Sequence, residues 1–281
     1  MTIIEKTALK TLGTIINTAH NVSPALMSRF CEYLFSHPMR TRLKPWMTDY
    51  LDTSNQIELI VDDIQFSTYH WPGSGKKVLF VHGWKSNSSR WKYIIDILRN
   101  KDIDCYALDA PSHGRTKFKH FTPFHFGKMI NTCIEEFEID IVVAHSVGAF
   151  ASLIQNKFYS AREVKYVLLA PTYSLELPTR VFFKILGLSK KVQYSFLKYF
   201  EDQINYTMDE LSSENLVQTR ASKKVQGLLI HDEEDDVLAI EGSEKIFRRS
   251  EKLDFIRTKG YGHRMQHKYI YQIVSDYILN K

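Results

Sequence analysis

The sequence predicts an α/β protein with a mostly parallel central sheet flanked by helices, and three observations carry that prediction. Short apolar runs recur at residues 78–81, 104–108, 141–144, 166–170 and 227–230, and unbroken runs of this length suit strands buried on both faces. Segments 91–100, 124–137 and 147–156 fall between them with apolar residues at helical spacing. Strands alternating with amphipathic helices imply parallel pairing through right-handed crossovers. The third observation is size and composition: 281 residues, 44% hydrophobic and 25% charged, give enough chain for one substantial core. Disordered, collagen-like and disulfide-stapled chains are excluded on the same grounds.

In chain order, residues 3–35 place Ile3, Leu9, Leu12, Ile16, Leu26 and Phe30 at helical intervals. This predicts two helices broken near Ser23-Pro24, with Ser23 as cap and Pro24 opening the second. Residues 1–50 form a helical N-terminal extension whose apolar face is expected to pack on the protein, with weak membrane-surface association through residues 1–45 as the alternative. Segments 57–61 and 64–69 read as antiparallel strands leading into the buried run at 78–81. Between them, Pro72-Gly73-Ser74-Gly75 reads as a hairpin turn; it lacks the G-x-x-x-x-G-K-[ST] pattern of a phosphate loop and precedes a strand. Residues 172–224 then break the rhythm. They offer about 50 residues without a strand signal where a crossover needs about a dozen, so an inserted helical lid is expected. The core is assigned to 51–171 and 225–281.

The formal net charge is +5, and its location limits what it means. Lys6, Lys10, Arg29, Arg40, Arg42 and Lys44 stand against Glu5 and Glu32, so +4 of the +5 falls in the first 45 residues. No basic stripe interleaved with stacking aromatics occurs, and no nucleic-acid partner is expected. Thr11, Thr14, Asn17, Thr18 and His20 interrupt the N-terminal apolar stretch, leaving no secretory leader pattern. No 18-residue apolar run predicts a transmembrane helix. Cys31, Cys105 and Cys133 are odd in number and lack C-x-x-C spacing, which suits a reducing compartment, with the cytoplasm as the expected location.

The sharpest chemical signal is the run at 141–144 passing into Ala144-His145-Ser146-Val147-Gly148 and then a helix. Strand, small-x-Ser-x-small turn and helix are the context in which a nucleophile elbow has meaning, because small neighbours let a tight turn project the serine hydroxyl. Here the chain resembles the α/β-hydrolase family from about residue 57 to its end. His82-Gly83-Trp84 resembles that family's oxyanion loop, and Asp109-Ala110-Pro111-Ser112-His113-Gly114 resembles its loop after the next strand. His231-Asp232-Glu233-Glu234-Asp235 is similar to the acid segment, and Gly260-Tyr261-Gly262-His263 to the histidine segment. The resemblance implies a catalytic triad of Ser146, Asp235 and His263, with an oxyanion hole from the backbone N–H groups of Trp84 and Val147. It also implies an α/β-hydrolase fold and a cofactor-independent serine esterase. Ala144 departs from the family's usual glycine.

Each residue type suits its task. A serine hydroxyl is a poor nucleophile at neutral pH and needs a base; the base needs a carboxylate to fix its tautomer. Spacing alone leaves Asp232 and Asp236 as alternatives to Asp235. His82, His113, His145 and His231 read as loop histidines bonding the backbone, and Asp109 and Arg115 as loop-holding residues. His267 stands four residues after His263 and could share a helical face with it. Without H-E-x-x-H or a third ligand no metal is expected. Serine, not aspartate, at the elbow disfavours dehalogenase and epoxide hydrolase chemistry and leaves esters, thioesters and amides open. In the lid, Tyr173, Phe182, Phe183, Phe196, Tyr199 and Phe200 are expected mainly to pack, with some roofing an apolar acyl group. The expected partner is a small-molecule acyl substrate. The competing reading is a non-catalytic ligand-binding protein that keeps the fold.

Overall fold

The computed structural model describes residues 3–159, 162–218 and 225–280. Its elements in chain order are α1 (Ile3–Ala19), α2 (Pro24–Ser36), α3 (Pro45–Leu51), β1 (Asn55–Val61), β2 (Ile64–Trp71), β3 (Lys77–Val81), α4 (Lys92–Arg99), β4 (Asp104–Leu108), α5 (Pro123–Phe137), β5 (Ile141–His145), α6 (Val147–Phe158) and β6 (Lys165–Leu169). They continue as α7 (Glu176–Leu186), α8 (Lys190–Ile204), α9 (Ser213–Val217), β7 (Gln226–Asp232), α10 (Glu241–Arg249), β8 (Lys252–Thr258) and α11 (Lys268–Asn280). The chain gathers into two units, Met1–Pro38 with Ser174–Ser212, and Met39–Tyr173 with Ser213–Lys281.

The first unit is helical, and the N-terminal helices pack on the inserted ones. A Cβ on Gly13 would meet the Leu186 carbonyl oxygen at 1.7 Å, so α1 and α7 touch backbone to backbone where only glycine fits. Lys10 Nζ donates to the Lys184 carbonyl, and Asn17 Nδ2 donates to that of Gly187 while its Oδ1 accepts from Ser189 N–H. Asn17 thus satisfies backbone groups at the end of α7 and the start of α8. Phe35 of α2 stands edge-on to Phe182, Phe196 and Phe200. The polar breaks in the apolar stretch are absorbed locally: Thr11, Thr14 and Thr18 return their hydroxyls to carbonyls four residues back. Pro24 opens α2 as predicted, but Ser23 does not cap it. Its backbone sits at φ −142°, ψ 88°, and the hydroxyl makes no capping bond.

The second unit is an eight-stranded sheet in the order β1-β2-β4-β3-β5-β6-β7-β8. β1 with β2 and β2 with β4 pair antiparallel, and the remaining pairs are parallel. Every residue of β4 and β5 is buried, which is why their sequences carry no polar alternation. One face packs α4 and α11 through Ile94, Leu98, Ile270, Val274 and Ile278. Parallel strands place all their C-terminal ends at one edge, so the loops after β3, β4, β5, β7 and β8 converge there.

Two expectations are corrected. β2 and β3 are not neighbours, because β4 lies between them, so the turn at 72–75 is not a hairpin. Asp102 and Asp104 hold it by accepting from the Ser74 and Gly73 amides; the Pro and Gly signals mark a reversal and say nothing about pairing. The edge strand β8 has no counterpart among the predicted runs, since Lys252, Asp254 and Arg257 interrupt its apolar residues. Residues 219–224, assigned to the lid, lie outside the described residues. Among the described residues no helix is long and apolar enough to cross a membrane.

Candidate active site

The site is built where β5 ends. Ser146 holds φ 55° and ψ −122° between the last strand residue and the first turn of α6, a conformation that a residue with a side chain adopts only when its surroundings enforce it. The enforcement is steric and hydrogen-bonded. Ser146 N–H donates to the Leu169 carbonyl at 3.0 Å, and its carbonyl accepts from Phe150 and Thr172. A Cβ on Gly148 would meet the His82 and Val81 carbonyl oxygens at 2.4 and 2.9 Å, so α6 starts directly against the end of β3.

The loop after β3 is laid against the serine. A Cβ on Gly83 would fall 2.9 Å from His145 Nδ1 and 3.1 Å from Ser146 Cβ. His82 Nδ1–H donates to the Gly83 carbonyl at 2.8 Å while its Nε2 accepts from Ala110 N–H. His113 Nε2 accepts the Lys85 amide, and its Nδ1–H donates to the Pro111 carbonyl. Burial lowers the pKa of both rings, His82 furthest, keeping them in the neutral form that this bonding needs. Trp84 therefore sits between two anchored residues. Its side chain is 40% exposed and stands edge-on to Phe121 and His113. Val147, buried at the first position of α6, has an amide with no intrahelical acceptor. Asp109 is loop-holding as read: it accepts from Ser88 N–H and Oγ–H, the Tyr69 hydroxyl and Arg115 N–H. Arg115 bonds Gln56 and Asp52.

The loops after β7 and β8 bring the other two triad candidates to the serine. His263 Nε2 lies 3.2 Å from Ser146 Oγ, and His263 Nδ1 lies 2.8 Å from Asp235 Oδ2. Burial works against charge on the Asp235 carboxyl. Hydrogen bonds from His231, His263 and the Leu238 and Val237 amides outweigh it, holding the group well below the usual carboxylate range. With Nδ1–H donating to the carboxylate, Nε2 faces the hydroxyl as an acceptor.

Of the other acids considered, Asp236 is exposed, and Asp232 is fully buried with a different task. Its carboxylate accepts from the Thr258 hydroxyl and from the Tyr261, Gly262 and Glu234 amides, so it fixes the turn that carries His263. Burial opposes its charge as well, and these bonds again lower its pKa. His231 also exceeds the backbone-bonding role read for it, since its Nε2 lies 3.1 Å from Asp235 Oδ2 as well as 3.0 Å from the Leu238 carbonyl. Nothing local in the sequence signals either role, because the partners are brought together only by folding. The helical face proposed for His263 and His267 does not form. Residues 263–267 are turn and irregular, with α11 starting at Lys268, and His267 accepts backbone N–H groups of Tyr269 and Tyr271 at that start. Among the described residues no group of three or more His, Cys, Asp or Glu is placed to hold a metal ion.

Comparison with known proteins agrees with this architecture. Residues 78–268 match the model of the alpha/beta hydrolase family. A Mycoplasma pneumoniae protein provisionally named esterase/lipase 2 is 23% identical over 235 residues, 71% of this chain and 86% of its own. Among solved structures, an esterase of Pyrococcus furiosus superposes with a TM-score of 0.63 at 18% identity, covering 87% of this chain and 97% of its own. Mouse alpha/beta hydrolase domain-containing protein 10 gives 0.63 at 14% identity, covering 81% and 98%. With its parallel sheet, its sharp turn after β5 and a family match spanning most of the sheet, the chain belongs to the alpha/beta hydrolase family.

Proposed function

We propose that the protein is a serine hydrolase that cleaves a carboxylic ester or thioester through an acyl-enzyme on Ser146. The observation that carries this reading is the unbroken chain from Ser146 Oγ to His263 Nε2 and from His263 Nδ1 to Asp235, at 3.2 and 2.8 Å. Ser146 Oγ attacks the carbonyl carbon as His263 Nε2 takes its proton, and Asp235 stabilises the imidazolium. The tetrahedral oxyanion accepts from the Trp84 and Val147 backbone N–H groups, donors of a kind worth about 10² to 10³ in rate each. Collapse breaks the bond to the alcohol or thiol, which leaves with the proton from His263. Water, deprotonated by His263, then attacks the acyl-enzyme and releases the acid with Ser146 restored.

Esterase and lipase descriptions among the relatives favour an ester. Turnover of p-nitrophenyl esters of graded acyl length by the parent and by Ser146→Ala tests the reading: hydrolysis that vanishes in the variant is expected, and full turnover by Ser146→Ala would overturn it.

A further inference from the structure

Arg90 lies in the short 3-10 turn Ser88–Trp91, far in sequence from His263, yet it reaches the turn that carries that residue. Its Nη1–H donates to His145 Nδ1 at 2.5 Å, and its Nη2–H donates to the Arg264 carbonyl at 2.9 Å. Because Nδ1 accepts, the His145 ring carries its proton on Nε2, which donates to the His263 carbonyl at 2.8 Å. Gln266 Nε2–H closes the set by donating to the Arg90 carbonyl at 3.1 Å. His145 immediately precedes Ser146, so the neighbour of the hydroxyl grips the backbone of the imidazole that faces it.

The electrostatics make this arrangement costly. Arg90 Nε is sealed from solvent and has no partner, and burial lowers the guanidinium pKa to about 10. Among the described residues the side chains facing it include the His145 and His82 rings, the Trp91 ring, 4.7 Å from Cζ, and Tyr271; no carboxylate is paired with it. Arg90 is half-buried, and withdrawing even part of a guanidinium from water without a counter-charge is unfavourable, so a neutral side chain would anchor a loop more cheaply. Local rules are broken in this way mainly where function is at stake. Burial and the nearby Arg90 charge also hold His145 far below its ordinary pKa, so it remains the neutral acceptor that the guanidinium needs.

We propose that Arg90 and His145 are a positioning pair, fixing the Arg264 and His263 carbonyls so that the His263 imidazole is held at bonding distance from Ser146. The catalytic half of this proposal rests on the serine-hydrolase reading above; the mechanical half does not. Arg90→Met and His145→Leu should each lower kcat by about 10- to 100-fold with KM within about twofold, the cost of a base displaced by a fraction of an ångström to an ångström. His145→Gln, which keeps one acceptor and one donor on the side chain, should recover most of the loss. The double variant Arg90→Met/His145→Leu should fall no further than the poorer single one, because the two act in one chain.

Hydrogen exchange followed by mass spectrometry, in the same proteins without substrate, should accelerate over residues 260–267 in Arg90→Met and His145→Leu and stay unchanged in the strands. Unchanged exchange over 260–267, a rise in KM with kcat intact, or equal losses in His145→Gln and His145→Leu would overturn the proposal. Full turnover by Ser146→Ala would overturn the serine reading instead, and exchange would still decide whether the pair holds the turn.

Discussion

The turn that presents Ser146 and the turn that presents His263 are held by different forces. The serine turn is confined by backbone sterics: β5 and α6 leave it no slack, and Gly83 and Gly148 exist there because a Cβ would strike the Ser146 Cβ and the His82 carbonyl. The histidine turn has the opposite character. Gly260 and Gly262 adopt positive φ with no atom within 4 Å of where a Cβ would stand, so open space surrounds it. Side-chain bonds hold it in place, from Asp232 to its amides and from His145 and Arg90 to its carbonyls. Ser146 is thus positioned by what cannot fit and His263 by what must be bonded. The two should therefore fail differently, the first by crowding and the second by loss of a partner.

The largest effect is expected from the bond that orients the base. Asp235→Asn removes the carboxylate that fixes the His263 tautomer and should lower kcat by about 10⁴ with little change in fold, measured by steady-state kinetics beside circular dichroism. Crowding the serine turn comes next. Gly148→Val drives a side chain into the His82 carbonyl and should cost about 1–3 kcal/mol of stability and at least about 10² in kcat, read from denaturant melts and rates. Conversely, Gly262→Ala should leave the denaturation midpoint lower only by the strain of positive φ, about 1 kcal/mol.

Asp232→Asn probes the bonded turn at its base. The amide presents a donor where backbone N–H groups also donate, so the buried bonds are lost at about 1–3 kcal/mol, and kcat should fall by about tenfold or more as His263 loses its register. Retained kcat in this variant would show that the histidine turn is confined by sterics after all.

Stability should also depend on pH, with a sign that follows from burial. His82 and His145 are held neutral, with pKa values well below the ordinary 6.5. Their contribution to stability is present above the unfolded pKa and is lost as pH falls below about 6.5, because the unfolded chain then binds protons that the folded one refuses. Each contributes a slope of up to about 1.4 kcal/mol per pH unit. Asp232 and Asp235 add a further loss at lower pH, from about 4 downward, since their folded pKa values are depressed. Urea melts between pH 7.5 and 3 check both, and His82→Gln should flatten the upper part of the curve.

The same contrast decides what the sequence made legible. The serine turn could be read because its signature is local: an apolar strand, small residues two positions either side and a helix. The Leu169 carbonyl and the loop after β3 that also confine it come from elsewhere in the chain. Most strands were read for the same reason, but not β8, where charged residues at the exposed edge interrupt the pattern. Nor was the insertion of β4 between β2 and β3, which depends on pairing that local signals do not fix. Motif spacing pointed to Asp235 but left Asp232 and Asp236 as alternatives, because three aspartates lie within five residues at the end of β7 and in the loop after it. What separates Asp235 from Asp232 is contact with residues roughly thirty positions on, His263 for the first and Tyr261 and Gly262 for the second. The packing of α1 on α7 was hidden likewise, since helical periodicity gives a face without naming its partner. Asn17, which looked like a break in an apolar stretch, and Gly13 are the residues that make that packing possible.

Activation of Ser146 as a nucleophile by His263 is read out by incubation with a fluorophosphonate and intact-mass spectrometry, followed by peptide mapping. One adduct per chain on Ser146, formed quickly by the parent and slowed by at least about 10³-fold in His263→Ala, is the predicted result. No adduct, an adduct on another residue, or equal labelling of His263→Ala would contradict it.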